Sequence, residues 1–256
     1  CCEVALLIGW LYSSYRCCFV SLAIDISLQS GNHMSGFTFC LLSPKGGVGK
    51  TTTAVLLASE VIRHGKSVTL IEADGNQHLA SWFELGNCPE SLSVVSIGNA
   101  TGAELEQAVL AAEDTADYVI VDTQGTENAV ALRAAALSDV VLFPTAFSPF
   151  EVQGALTALE AVLALPKEYA PMLAAVIFTR VDAAIKTRAQ SAILNAFDQE
   201  GIEYIWPGIL QKEVCRQMLK HGCLLHDLPV HTNASNIQNA IDNIQAVLGA
   251  IVKRVT

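Results

Sequence analysis

From Phe37 onward the chain alternates two patterns. Short continuous apolar runs, mostly Val, Ile and Leu, occupy Phe37–Leu42, Ser67–Ala73, Ser93–Ile97, Tyr118–Asp122, Val140–Pro144 and Leu173–Thr179, with a shorter one at Tyr204–Ile205. Strands buried on both faces read this way, without the polar alternation of a one-sided sheet. Between them, apolar residues recur at three- and four-residue spacing. Over Thr51–His64 the spacing puts Val55, Leu56, Ala58, Val61 and Ile62 on one helical face, and Gly65 closes the helix. Further helices are predicted over Ala103–Ala112, Glu127–Leu137, Phe150–Leu165, Ala184–Glu200 and Asn236–Val255. The rhythm predicts one α/β domain over residues 34–256, a doubly wound and mainly parallel sheet flanked by helices.

The first strand runs into Ser43-Pro44-Lys45-Gly46-Gly47-Val48-Gly49-Lys50-Thr51-Thr52-Thr53 and the first helix follows directly. This is the strand-loop-helix setting of a phosphate-binding loop. Gly46, Gly47, Val48 and Gly49 let successive backbone N–H groups turn toward a phosphate, and the helix N-terminus of Lys50, Thr51 and Thr52 adds unpaired donors. Lys50 is then expected on the terminal phosphates of ATP, and the Thr51 hydroxyl on Mg²⁺. The alternative, a glycine-rich turn without a ligand, leaves two lysines bracketing three glycines unexplained.

Two further acids fall where ligands of open α/β sheets bind, at the carboxyl ends of strands. Asp74 ends the second strand in Glu72-Ala73-Asp74-Gly75-Asn76-Gln77, and Asp122 ends the fourth in Tyr118-Val119-Ile120-Val121-Asp122. An apolar strand closed by an acid is the Walker B pattern, which assigns Asp122 to Mg²⁺ with Thr51. Either carboxylate has a plainer alternative as a helix cap, Asp74 for a helix starting near Asn76 and Asp122 for the helix after the fourth strand.

The loop departs from the ordinary G-x-x-x-x-G-K-[ST] pattern, since Pro44 holds the place of the first glycine and Lys45 follows it. In this form it resembles the deviant P-loop of the ParA/MinD family of ATPases. The resemblance implies that Lys45 contacts nucleotide bound by a partner subunit, that the ATP state is a homodimer, and that Asp74, matching the second Asp of Asp-x-Asp-Pro-Gln, positions the attacking water. Lys45, Lys50 and Asp74 are thus the expected catalytic residues. Glu72 and Gly75 depart from that motif and bear on the conformation of the loop. The runs Asp122-Thr123-Gln124-Gly125, Phe143-Pro144-Thr145 and Ser148-Pro149-Phe150-Glu151 are similar to the VirC-type branch of ParA homologues, found beside DNA-transfer genes on conjugative plasmids. The likeness covers Met34 to the C-terminus and is carried by residues up to Glu151.

Charge changes the picture in the last third of the chain. The net charge is −10, with seven basic against eighteen acidic side chains before Arg180 and eight against seven from there on. An anionic partner therefore belongs with the later residues, and the family resemblance implies a basic surface there for non-specific DNA; Lys186, Arg188 and Arg216 are its candidates. A solvated helix face of mixed charge is the alternative, because five acids lie between Arg180 and Lys220. Phe147 and Phe150 are either groove aromatics or packing residues. The last helix carries Ile237, Ile241, Ile244, Val247, Leu248, Ile251, Val252 and Val255 on one stripe with only Lys253 and Arg254 beside it, which favours packing on the sheet over a membrane surface.

Of eight cysteines, four fall in the first 18 residues, and Cys40, Cys88, Cys215 and Cys223 lack metal-site spacing, which excludes zinc, an iron–sulfur cluster or a disulfide framework and fits a reduced cytoplasmic protein, nucleoid-associated when on DNA. Residues 1–33, apolar from Val4 to Ile24 around Arg16, fit nothing downstream. They read as translated upstream sequence before Met34, with a packed extension or a membrane-associated segment as alternatives. The expectation is a slow Mg·ATP-dependent ATPase that switches binding of DNA and a partition or transfer protein. A MinD-like membrane-cycling positioner and a small-molecule P-loop kinase or ligase are the other readings, and Lys45 speaks against the second.

Overall fold

The structure, a computed structural model, describes residues 36–124, 129–182, 187–228 and 234–256. Seven strands, β1 (Phe37–Leu41), β2 (Val68–Ala73), β3 (Leu92–Ser96), β4 (Tyr118–Thr123), β5 (Val140–Thr145), β6 (Leu173–Phe178) and β7 (Tyr204–Ile205), form a parallel sheet in the order β3-β2-β4-β1-β5-β6-β7. The helices are α1 (Lys50–Arg63), α2 (His78–Phe83), α3 (Gly102–Glu113), α4 (Ala129–Ala136), α5 (Pro149–Leu163), α6 (Arg188–Glu200), α7 (Glu213–His221) and α8 (Ala234–Val255). This is the doubly wound architecture expected from the pattern. The expectations for residues 1–33 and Lys186 lie outside the described residues.

The pleat sorts the apolar runs into two cores. On β1, Phe39 and Leu41 face one side with Tyr118, Ile120, Val140 and Leu142 of the neighbouring strands, and α1, α7 and α8 cover them. Cys40 faces the other side with Val119, Val121, Val141 and Phe143, under α3, α4, α5 and α6. Asp122 has the parity of Tyr118 and Ile120, so the chain alternation alone turns it toward the α1 side. Thr101 with Glu104 and Thr187 with Gln190 form capping boxes on α3 and α6, and Gly201 ends α6 in the left-handed conformation.

Two helices are missing from those predicted by periodicity, although one beginning near Asn76 is the alternative reading for Asp74. Six-residue α2 buries only Leu79 and Trp82, and nine-residue α7 buries Val214, Cys215 and Met218; such short segments show too little of a period to read. They are held by tertiary contact, with the Trp82 indole donating to the Met218 carbonyl at 3.2 Å. The stripe of α8 is consumed in packing: Ile244, Val247, Leu248, Ile251 and Val252 are buried against α1 and the sheet, and Ile237, Ile241 and Val255 pack around them. Among the described residues no helix is long and apolar enough to cross a membrane.

Candidate nucleotide and metal site

Strand order reverses around β1, since the chain winds to β4, β2 and β3 on one side and to β5, β6 and β7 on the other. A crevice opens at the carboxyl ends of strands at such a switch point, and residues 43–50 fill its floor. Gly47 and Gly49 have φ of 77° and 97°, the left-handed region where a side chain would be strained. Lys50, Thr51 and Thr52 form the first turn of α1, whose N-terminus has no side-chain cap and no acidic residue. Its donors are left for an anion. Pro44, at the place where the ordinary loop has glycine, packs its ring closely on α5: a Cβ on Gly154 would lie 2.9 Å from Pro44 Cγ.

Thr179, just beyond β6, fastens this loop from beneath. Its buried hydroxyl lies 2.7 Å from the Val48 carbonyl and 3.3 Å from that of Thr145, and its side chain lies against Gly49. Next to it, Arg180 has a left-handed φ of 55° and reaches toward Gly47. Neither role is legible in the sequence, since nothing local links residue 179 to residue 48.

Asp122, 3% exposed, accepts the Thr51 hydroxyl on Oδ2 at 2.6 Å. Its other oxygen, Oδ1, is buried without a hydrogen-bond partner among the described residues. Burial pushes this carboxyl up to about 6, against the Thr51 hydrogen bond and the charge of Lys50, with Asp74 and Glu72 adding to the rise. A buried acid with one oxygen unsatisfied beside a hydroxyl is an oxygen donor set that suits Mg²⁺ directly or through water. The structure thus brings Thr51 and Asp122 together beside the uncapped α1 terminus, where a phosphate would have room.

Asp74 is half-buried at the same edge. Its Oδ1 accepts the Asn76 backbone N–H and side-chain amide, both at 2.9 Å. The helix-cap alternative for Asp74 is thereby corrected: the helix begins at His78, and its first amides are taken by Glu72 instead. Lys45 is 61% exposed and lies 3.2 Å from Glu151 Oε1 on the first turn of α5. Phe147 stacks on Phe178 with centroids 4.0 Å apart, a packing residue, whereas Phe150 is 89% exposed beside Glu151.

Past Arg180, a cavity of about 370 Å³ is lined by Asp182, Gln211, Lys212, Glu213 and Arg216. Arg216 also pairs with Glu213 at 3.3 Å, so its charge is partly spent within its own helix. Arg188 is exposed at the start of α6. Cys40, Cys88, Cys215 and Cys223 are free thiols, and no cluster of three or more His, Cys, Asp and Glu side chains placed to hold a metal ion occurs among the described residues, so a metal beside Asp122 would draw its other ligands from Thr51, water or phosphate.

A family model described as VirC1 protein matches residues 34–254. Protein ParA of Rhizobium radiobacter is 30% identical over 217 residues, 84% of this chain and 95% of that protein. Protein virC1 of Rhizobium rhizogenes is 32% identical over 166 residues, 62% of this chain and 70% of that protein. Among solved structures, that of Cyanothece McdA in complex with ATP matches with a TM-score of 0.65, over 86% of this chain and 97% of that one, at 19% identity. The last is a likeness of fold.

Proposed function

The chain belongs to the VirC1 protein family, and from that premise we propose that it is a Mg·ATP-dependent ATPase of ParA/MinD type, a homodimer in its ATP state, that switches contacts with DNA and a partner protein in plasmid or chromosome partition or in DNA transfer. The observation that carries this reading is the 2.6 Å hydrogen bond from Thr51 to buried Asp122 beside an uncapped, glycine-led helix terminus. Bound there, Mg²⁺ would neutralise charge on the phosphates of ATP. Thr51 and Asp122 would hold the metal, Lys50 the terminal phosphates, and the backbone of Gly46 to Gly49 the phosphate oxygens. Asp74 would orient water at the open side of the site.

Lys45 is well placed to leave its own chain. Lys45 is the exposed half of its pair, and Glu151, 13% exposed, also accepts the Ala146 N–H, so the acid keeps a partner when the lysine turns to a phosphate on a second copy. Lys45→Ala should bind ATP as the wild-type monomer does yet fail to dimerise with ATP. Sedimentation in ATP and in ADP, with labelled-nucleotide binding alongside, measures both; normal dimerisation of the variant contradicts the role.

The DNA reading rests on the charge asymmetry and on burial of the α8 stripe, which leaves a membrane little apolar surface on that helix. ATP-loaded protein should bind arbitrary duplex with an affinity that falls steeply as salt rises, and ADP should release it. Charge reversal at Lys186 or Arg188 should weaken binding while leaving DNA-free hydrolysis alone. At Arg216 the same change should also disturb the neighbouring cavity. Sedimentation of the ATP form with anionic vesicles but not with duplex would establish the membrane reading in its place.

A further inference from the structure

Two acids stand side by side at the floor of the site. Glu72 on β2 is in register with Asp122 on β4 and shares its face of the sheet. Asp122 turns one oxygen to Thr51, but Glu72 turns both of its own away: Oε1 accepts the Leu79 N–H at 2.7 Å and Oε2 the Ala80 N–H at 3.1 Å. These are the second and third residues of α2, and the residue at the usual capping place, Gln77, is left-handed with no side-chain cap. Glu72, 1% exposed, therefore caps the helix from inside the sheet.

The consequence concerns the residues in between. The backbone of Glu72 is fixed in β2, where its carbonyl also accepts the Ile97 N–H at 3.0 Å, and its side chain is fixed to the start of α2. Asp74 to Gln77 thus form a short bridge pinned at both ends by one residue. Inside the bridge Asp74 accepts from Asn76, and the Gln77 N–H donates to the Asp74 carbonyl at 3.2 Å. A Cβ on Gly75 would lie 2.7 Å from Oδ1 of Asn99, an exposed side chain that would have to move aside. Of the two departures noted in the sequence, Glu72 is the long acid that reaches under the loop, and Gly75 lies within the loop it holds, next to Asn99.

We propose that Glu72 is a positioning residue that sets the place of Asp74 by clamping α2 to β2, rather than a ligand of nucleotide or metal. The proposal rests on the ATPase reading above. A carboxylate that orients water acts only from a narrow range of positions, and a pinned loop keeps it there before nucleotide arrives. Losing the clamp should therefore lower the turnover rate and leave nucleotide affinity almost unchanged.

Glu72→Gln, which keeps the size of the side chain but sets an amide against two N–H donors, is the first variant, and Glu72→Asp, too short to reach α2, is the second. Each should lower kcat roughly tenfold with KM for ATP within about threefold, and combined with Asp74→Ala should reduce kcat no further than Asp74→Ala alone, because both changes remove one function. Hydrogen exchange of the nucleotide-free protein should show the Leu79 and Ala80 amides losing protection in both variants while those of β2 keep theirs. Retained protection at Leu79 and Ala80, a rise in KM that matches the fall in kcat, or multiplicative losses in the double variants would overturn the proposal. If the wild-type chain hydrolyses no ATP, the ATPase reading fails, and the exchange experiment still decides whether Glu72 clamps the loop.

Discussion

Lys50→Ala should lower ATP turnover by on the order of 10² or more, the loss expected when one preorganised charge on a transferring phosphoryl group is removed. Lys50 opens α1 directly after left-handed Gly49 and is half-buried, so the root of its side chain is held by the helix and not by a flexible loop. The same charge lies near Asp122 and counters the effect of burial on that acid. Removing it therefore weakens both the phosphate site and the carboxylate assigned to the metal. The fold should survive, because the core beneath α1 is made by Ala54, Val55, Leu57, Ala58 and Val61, none of which depends on the lysine. Phosphate release and far-ultraviolet circular dichroism measured together test this; turnover within a few-fold of wild type in a folded variant would remove the P-loop assignment.

Asp122→Asn should separate stability from activity. The carboxyl sits at about 6 in the folded chain, above the ordinary carboxylate range, so the folded state holds the proton more tightly than the unfolded state. Its contribution favours folding at acid pH and is lost as pH rises through about 6, which leaves the ionised group a burden on the nucleotide-free protein at neutral pH. Asparagine keeps an acceptor for Thr51 and carries no charge. The variant should be as stable as wild type or more so at pH 7.5, by up to on the order of 2 kcal/mol, with the difference shrinking toward pH 5. Turnover with Mg²⁺ should meanwhile fall by on the order of 10². Melting curves across that pH range without nucleotide, and hydrolysis with Mg²⁺, measure the two arms. A variant less stable than wild type at pH 7.5 would mean that Asp122 is a structural acid satisfied by its surroundings.

What the sequence determined by itself is local. The continuous apolar runs gave the strands and the parallel sheet, because a strand covered on both faces needs apolar side chains in both directions. The glycines and Lys50-Thr51 placed the candidate nucleotide loop, since positive φ and a helix N-terminus are properties of neighbouring residues. Asp74 and Asp122 were visible because a carboxylate at the end of an apolar strand has a fixed place in a sheet of this kind. Tertiary structure decided the rest. Thr179 reaches Val48, Glu151 reaches Lys45, and Trp82 holds α7 across separations that no short period records. It also decided between alternatives that sequence left open: α8 spends its apolar stripe in the core, Phe147 packs while Phe150 does not, and Asp74 is no helix cap. Glu72 shows the reason most plainly. Its position on β2 faces it to the α1 side of the sheet, as any reader of the alternation would find, but only the return of the chain through α2 brings two amides within its reach, and a hydrogen bond made by topology leaves no mark in the local pattern.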